Sequence, residues 1–211
     1  MPAGLAADPV THRDPSTKEP ERQMPNNPPK IAPLPEDEWD DDIRALVQSS
    51  WTGDAPKAGQ NLYKTMVRHR ELFRKWNQFG SMTYNCRLPA RDRELLVLRT
   101  AWLTQCRFEW AHHQALAERI GLKPEEIRQI LEGPDAPGWN EHDATLLRAV
   151  DELHHGSRIS DSTWDRLRDH YDELELIEIP VIVGQYSLVA FFTNSIGVEP
   201  DARLPVLPTL P

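Results

Sequence analysis

Apolar residues recur three and four positions apart along most of this 211-residue chain. Residues 59–79, for example, carry one predicted helical face with spacings of three and four: Leu62, Met66, His69, Leu72, Phe73 and Trp76. No stretch alternates apolar and polar residues for long enough to predict a strand, and no internal repeat is visible. The sequence therefore predicts an all-α fold of about eight helices.

Proline, glycine and capping residues predict where these helices begin and end. Pro89 precedes a helix that continues to Leu103, and Gly121 follows a second helix that begins near Cys106. Further starts and ends are predicted at Pro124, Gly133, Asn140, Gly156 and Ser160 or Asp161. The acidic run at 36–42 is predicted to be a solvated helix entry, and the last helix to cover about 174–196, with Pro180 inside it.

Proline is concentrated at the two ends of the chain. Nine of the 19 prolines lie in residues 1–35 and four lie in residues 200–211. Because proline fixes φ and removes a backbone donor, such segments resist regular structure. The sequence predicts an irregular arm over 1–35, a helical domain over 36–199 and an irregular tail over 200–211.

Charge and cysteine content exclude several classes of protein. The net charge of −9 argues against nucleic acid or an anionic membrane as partner. Two cysteines, Cys86 and Cys106, are too few for a secreted disulfide scaffold, and residues 1–9 lack the pattern of a signal peptide. The apolar run at 179–196 is interrupted by polar residues, which favours a buried helix over a membrane span. We therefore expect a cytoplasmic protein.

A thiol, a carboxylate and an imidazole are predicted to share one helical face. At 100° per residue, Cys106, Glu109 and His113 lie within about 60° of one another, whereas His112 points about 100° away from His113. Glu94, on the preceding helix, reaches the same place if the two helices pack antiparallel. A helix N-terminus lowers a thiol pKa and carboxylates raise it, and two carboxylates in one site should raise the pKa of one of them. The group is better suited to moving protons than to holding a thiolate.

Each of these residues also has a purely structural interpretation. Glu109 fits the third position of a capping box over Cys106, and Cys106 fits a small buried hydrophobic position. Glu94 fits an ion pair with a nearby arginine, Arg91 or Arg93, and His113 fits a core histidine. Beside them, Trp110 packs in the core or lines a substrate pocket. The adjacent histidines at 112–113 and 154–155 do not predict a metal site, since neighbours on a helix diverge by about 100°.

The spacing of Glu94, Cys106 and His113 resembles that of the carboxymuconolactone decarboxylase and alkylhydroperoxidase D-like superfamily, over about residues 55–198. Its D-like members have a glutamate, a Cys-x-x-Cys twelve residues later and a histidine four residues beyond the second cysteine. Glu109 stands here in place of that second cysteine. The resemblance implies a helical bundle of that type, assembly as a homo-oligomer (trimer or hexamer), a small-molecule substrate and no cofactor or metal.

The missing second cysteine removes the working dithiol of the peroxidase branch. The resemblance then implies a decarboxylase-like enzyme that uses acid–base groups on a small carboxylated lactone or oxoacid. A thiol peroxidase that uses Cys106, alone or with Cys86, is the alternative, and a non-catalytic oligomeric binding protein is a third hypothesis.

Overall fold

Helices form the whole of the regular structure in the part of the chain that the computed structural model describes, residues 28–49, 60–202 and 204. A short 3₁₀ turn at Glu36–Glu38 precedes them. The helices are α1 (Asp41–Ser49), α2 (Gln60–Met66), α3 (Arg70–Tyr84), α4 (Ala90–Leu103), α5 (Arg107–Arg119), α6 (Pro124–Glu132), α7 (Glu141–Gly156), α8 (Asp161–Arg168) and α9 (Glu173–Ile196). Nine helices within these ranges, and no strand, confirm the predicted all-α class.

Side-chain caps explain why the helices begin where the sequence predicts. The Asn140 side chain accepts the Asp143 backbone N–H at 2.8 Å, which satisfies a free donor at the start of α7. Asp172 caps α9 together with Glu175 in a reciprocal capping box. After α5, Gly121 takes a φ of +100°, a conformation that other residues rarely adopt.

The apolar pattern over residues 59–79 belongs to two helices instead of one. The chain breaks between α2 and α3, and the His69 ring caps α3 by accepting the Leu72 backbone N–H at 3.3 Å. Leu62, Met66 and Phe73 of the predicted stripe are buried on the core side, whereas Leu72 is 48% exposed because it lies in the first turn of α3 on the solvent side. Periodicity continued across the break because both helices pack on the same core.

Helix α4 is the centre of the bundle. Every residue from Asp92 to Trp102 is buried, including the charged side chains, because α5, α7 and α9 all pack against this helix. A helix enclosed on all sides brings its polar residues into the interior, where each needs a partner. Glu94 is carried into the core in this way, and its surroundings form the candidate site.

Helix α9 is the most apolar element. By length and composition alone it is able to span a membrane, but half of its apolar window is buried inside the bundle, as in the core helix of a soluble fold. Pro180 lies within it, as predicted. Four large apolar residues of the same helix stay exposed: Leu174, Ile177, Leu188 and Phe191.

The ends of the described chain lie along the bundle without helix or strand. The Lys30 backbone N–H donates to the Ile196 carbonyl at 2.7 Å, and the Asp201 carboxylate accepts the backbone N–H groups of Gln60 and Asn61 at the start of α2. Most of the predicted arm and tail lies outside the described residues. The division at 35 and 200 therefore stays a prediction.

Candidate active site

The junction between α4 and α5 places the thiol of the predicted site. Gln105 turns the chain with a φ of +53°, and Cys106 follows as the N-cap of α5. The Glu109 backbone N–H donates to Cys106 Sγ at 3.4 Å, so the thiol takes the part that a serine or aspartate side chain has at most helix starts. The sequence predicted a helix that begins near Cys106, and the structure makes Cys106 the N-cap of that helix.

His113 lies between two carboxylates. Its Nδ1 is 2.7 Å from Glu94 Oε2, and its Nε2 is 3.2 Å from Glu109 Oε2. Glu94 comes from α4, whereas Glu109 lies one turn before His113 on α5 itself. The antiparallel packing expected from the sequence thus brings the acid–base residues together, with both ring nitrogens facing an acid.

The two carboxylates keep the imidazole protonated. Burial lowers the pKa of His113, but the charge of Glu94 and the hydrogen bonds to Glu109 and Glu94 outweigh burial and raise that pKa to about 10. At neutral pH His113 is therefore an imidazolium with each N–H directed at a carboxylate. The site therefore holds a proton between two carboxylate acceptors.

Glu94 has the opposite shift from the one that the sequence predicted for a paired carboxylate. Burial raises its pKa, but the neighbouring charges and hydrogen bonds of His113 and Arg93 more than offset burial and hold the pKa below the usual range. Arg93 Nε donates to Glu94 Oε1 at 2.9 Å. The sequence predicted a raised pKa for one of the two carboxylates without saying which, and Glu94 is not that one, because Arg93 and His113 stabilise its charge.

The Cys106 thiol is held in its protonated form. Burial and the charge of Glu109 raise the pKa of Cys106 to about 12, although hydrogen bonds from Thr193 and the start of α5 work in the other direction. Its Sγ lies 3.3 Å from Thr193 Oγ1 and is fully buried. The expectation that this arrangement disfavours a thiolate agrees with this raised pKa.

Helix α9 forms the opposite wall of the site. Thr193 faces Cys106, and Tyr186 packs edge-to-face on the His113 ring at 4.9 Å between centroids. The step from the first pair to the second is seven residues forward along α5 and seven residues back along α9. The two helices therefore run antiparallel with matched turns. Tyr63 of α2 adds a second phenol, whose pKa is raised to about 12 by burial and by the charge of Glu109.

Four contributors escaped prediction as site residues: Tyr63, Arg93, Tyr186 and Thr193. The sequence contains one signal for two of them, since Tyr186 and Thr193 repeat the seven-residue spacing of Cys106 and His113. Which helix packs on α5 is a tertiary fact, so that spacing could not be used in advance.

Other parts of the sequence interpretation are resolved by geometry. The Glu109 side chain pairs with His113, and the described contacts of Glu109 include no return bond to the N-cap that would complete a capping box. His112 points away as predicted, with its Nε2 3.1 Å from Asp201 Oδ2. Trp110 is fully buried, its ring packs on Trp102, and its role in a pocket stays a prediction.

A second carboxylate–histidine group lies on the far side of α4. Side chains of Asp92, His142 and Asp143 bring one ligand atom each within 4.8 Å of the others, the spacing of a metal site. Arg91 already occupies Asp143 with two hydrogen bonds, at 2.6 and 2.9 Å. Tyr171 donates to Asp92 Oδ2 at 2.7 Å. The protein's own side chains therefore satisfy this group.

Comparisons with known proteins agree with the resemblance in the sequence. The model of the carboxymuconolactone decarboxylase family matches residues 70–152, which include α4, α5 and all four predicted site residues. No match is found among curated proteins.

Several solved structures share the fold. The alkylhydroperoxidase AhpD core of an uncharacterized peroxidase-related protein from Ralstonia eutropha JMP134 superposes with a TM-score of 0.69 at 21% identity, covering 82% of this chain and 93% of that one. A peroxidase-related protein from Silicibacter sp. TM1040 gives 0.66 at 14% identity, covering 89% and 95%. The debrominase Bmp8 gives 0.65 at 14% identity, covering 82% and 92%. At these identities the likeness concerns the fold.

Proposed function

This chain belongs to the superfamily of carboxymuconolactone decarboxylases and alkylhydroperoxidase D-like proteins, and from that premise we propose that it is a cofactor-free general acid–base enzyme. Its substrate is a small carbonyl compound, a carboxylated lactone or an oxoacid, and the reaction is decarboxylation or a related isomerisation or dehydration. The observation that supports this proposal is the buried His113 imidazolium between Glu94 and Glu109.

The geometry suggests how a proton travels. His113 Nε2–H faces Glu109, so the pair passes one proton to a substrate carbon placed beside the carboxylate. In a decarboxylation, the bond between carbon and the carboxylate breaks and carbon dioxide leaves. The electron pair of that bond moves into a conjugated carbonyl group. The carbon at the far end of the conjugated system then accepts the proton from His113 and Glu109. Water then returns a proton to His113, and the hydroxide that remains combines with carbon dioxide as bicarbonate, so the overall reaction is balanced.

Glu94 acts as a positioning residue in this proposal. Its Oε2 accepts from His113 Nδ1, while its Oε1 accepts from Arg93, so the carboxylate is fixed at both oxygens. A fixed Glu94 holds the imidazole ring in one orientation and keeps the ring charged. Glu109, which meets His113 through its Oε2, is the group that we assign to face the substrate.

Thiol chemistry at Cys106 is the second candidate. The position of Cys106 at the N-cap of α5 favours it, as does the fold shared with peroxidase-related proteins. Burial and the charge of Glu109 oppose it, because both keep the thiol protonated. A cysteine-to-alanine variant of Bmp8 is known in complex with 2,3,4-tribromopyrrole, so halogenated rings belong in the substrate panel beside hydroperoxides.

Assembly as a homo-oligomer, a trimer or hexamer, is also part of the proposal. Leu174, Ile177, Leu188 and Phe191 of α9 are each about half exposed or more, and their spacings of three and eleven place them along one stripe. Burial of such a stripe between subunits removes apolar surface from water. Light scattering coupled to size-exclusion chromatography tests it, and a mass of 24.2 kDa in solution would contradict it.

The test of function is a turnover screen with lactones, oxoacids, hydroperoxides and halogenated pyrroles, run on the wild type and matched variants. We expect His113→Gln to lower kcat by about 100-fold or more, the usual size of a lost acid–base group. Cys106→Ser should lower kcat less than about tenfold. His142→Gln is the control, since His142 of α7 lies on the opposite side of α4 from the candidate site, and it should leave kcat unchanged. Loss with Cys106→Ser alone would support the peroxidase. If no substrate is turned over, or if a background turnover is the same in the wild type and in every variant, the result would support the non-catalytic alternative.

A further inference from the structure

Two buried polar atoms near the candidate site have no hydrogen-bond partner in the described structure: Trp76 Nε1 and Gln185 Oε1. Gln185 is only 5% exposed. Buried donors and acceptors are nearly always paired, since leaving one unpaired costs about 1–3 kcal/mol. One is a donor and the other an acceptor, and a ligand able to satisfy both would remove the cost.

The two atoms belong to the same helix interface. A Cβ placed on Gly80 would lie 3.7 Å from Gln185 Nε2, so α3 meets α9 at these two residues. Trp76 precedes Gly80 by four residues and therefore projects from the same face of α3, about one turn or ~6 Å along its axis. The unpaired donor of Trp76 and the unpaired acceptor of Gln185 thus lie on the facing sides of α3 and α9.

The same interface adjoins the acid–base group. Tyr186, the next residue after Gln185, packs on the His113 ring at 4.9 Å. On the other side, the Trp76 ring lies 6.2 Å from that of Tyr63, whose phenol is close enough to Glu109 to feel its charge. A small molecule held by Trp76 and Gln185 would therefore extend towards His113 and Glu109.

We propose that Trp76 and Gln185 anchor the polar edge of the substrate. The Trp76 N–H donates to a carbonyl oxygen, and Gln185 Oε1 accepts from an N–H or O–H on the neighbouring atom. The ligand class is an uncharged carbonyl edge with an adjacent donor, as in a lactam, a hydroxylated lactone or the enol of an oxoacid. This inference rests on the proposed function and adds to it which end of the substrate lies away from His113.

Two probes of matched shape test the anchor. 2-Pyrrolidinone offers a carbonyl and an N–H, whereas γ-butyrolactone offers the carbonyl alone. The readout is the ¹H–¹⁵N resonance of the Trp76 indole in full-length protein, identified among the seven tryptophans with Trp76→Phe, or from its contacts with the Tyr63 ring if that variant fails to fold. Trp110 is an internal control, because its N–H already donates to Gln114 at 2.8 Å.

We expect 2-pyrrolidinone to shift the Trp76 resonance saturably and to bind about tenfold more tightly than γ-butyrolactone, the effect of one hydrogen bond. Gln185→Met, which keeps the length of the side chain, should remove that preference, and Gln185→Glu should restore part of it. Gln114→Met should leave the preference intact. The Trp110 resonance should not move with either probe.

A Trp76 resonance that neither probe moves would overturn the proposal, and so would equal affinities for both probes in the wild type. The first result would mean that solvent alone satisfies the two groups, and the second that Gln185 takes no part in binding. The anchor and the proposed function fail separately. If His113→Gln abolishes turnover while the probe shift persists, both stand. If the shift appears and no acid–base turnover is found, the anchor stands without the enzyme function.

Discussion

Helix α4 carries a carboxylate on each of two sides, and the two surroundings differ in a way that matters for chemistry. Glu94 faces His113 and Glu109, while Asp92, two residues earlier, faces His142 and Tyr171. Both groups contain an acid, a histidine and a tyrosine. Residue type therefore does not distinguish the candidate site from a structural cluster.

Enclosure and charge balance do distinguish the two groups. The His113 side chain is 11% exposed and has an acid at each ring nitrogen, whereas that of His142 is 25% exposed and meets Asp92 through its Nε2. An arginine pairs with one acid in each group, Arg93 with Glu94 and Arg91 with Asp143, so the difference lies in the enclosure of the histidine and in the number of acids at its ring. A buried imidazolium between two acids, with a strongly shifted pKa, is typical of a functional site, whereas a hydrogen-bonded cluster at a helix junction needs no further explanation.

The largest expected difference between the groups is in the pH dependence of stability. The pKa of His113 is raised from an ordinary value of 6.5 to about 10, so the stability it contributes is complete below pH 6.5 and is lost as pH rises through 10. Relative to His113→Gln, the wild type should lose up to about 4 kcal/mol of unfolding free energy between pH 6.5 and 9.5. Urea denaturation at both pH values measures this. A parallel pH slope in the two proteins would contradict the charged His113, and His142→Gln should follow the wild type.

The next effect concerns the two acids on α4. Glu94→Gln removes the negative charge that Arg93 and His113 share inside the core, and should cost about 3 kcal/mol of unfolding free energy. Asp92→Asn keeps a partner for Tyr171 and should cost about 1 kcal/mol. Chemical denaturation at pH 7 compares them directly. Equal losses would show that the two acids are structural to the same degree.

A smaller effect separates the thiol of the site from the second group. Because the charge of Glu109 contributes to the raised pKa of Cys106, Glu109→Gln should lower that pKa by about one unit, whereas Asp92→Asn should not change it. The rate of iodoacetamide alkylation against pH, in a Cys86→Ser background, reports the value. A pKa below about 8.5 for Cys106 in the otherwise unchanged protein would support the peroxidase hypothesis.

The smallest expected effect is the response to zinc. Arg91 donates hydrogen bonds to both oxygens of Asp143, so we expect no zinc binding by Asp92, His142 and Asp143. Added Zn²⁺ should therefore leave the melting temperature of the protein unchanged. Differential scanning fluorimetry measures this. A rise in the melting temperature of the wild type that His142→Gln abolishes would show that the second group binds metal and is not merely structural.

Local rules account for the agreement between sequence and structure along the helices. Asn140 and Ser160 cap the helices that follow them, and Gly121 ends α5 because few other residues adopt its φ. The break at His69 escaped prediction because both helices share one apolar face. A core that accepts two helices in succession gives the same periodicity as one long helix.

The shared face of Cys106, Glu109 and His113 follows from the order of residues alone, because an α-helix turns by 100° at every residue. The all-α class and the absence of a Cys-x-x-Cys dithiol are equally local properties of the chain.

The contacts between helices depend instead on how the helices pack. Arg93 stabilises Glu94, Tyr186 and Thr193 close the site, and Gln185 meets α3, and each contact joins positions whose approach no local rule predicts. The raised pKa of His113 and the lowered pKa of Glu94 also come from packing, because burial and neighbouring charges determine both.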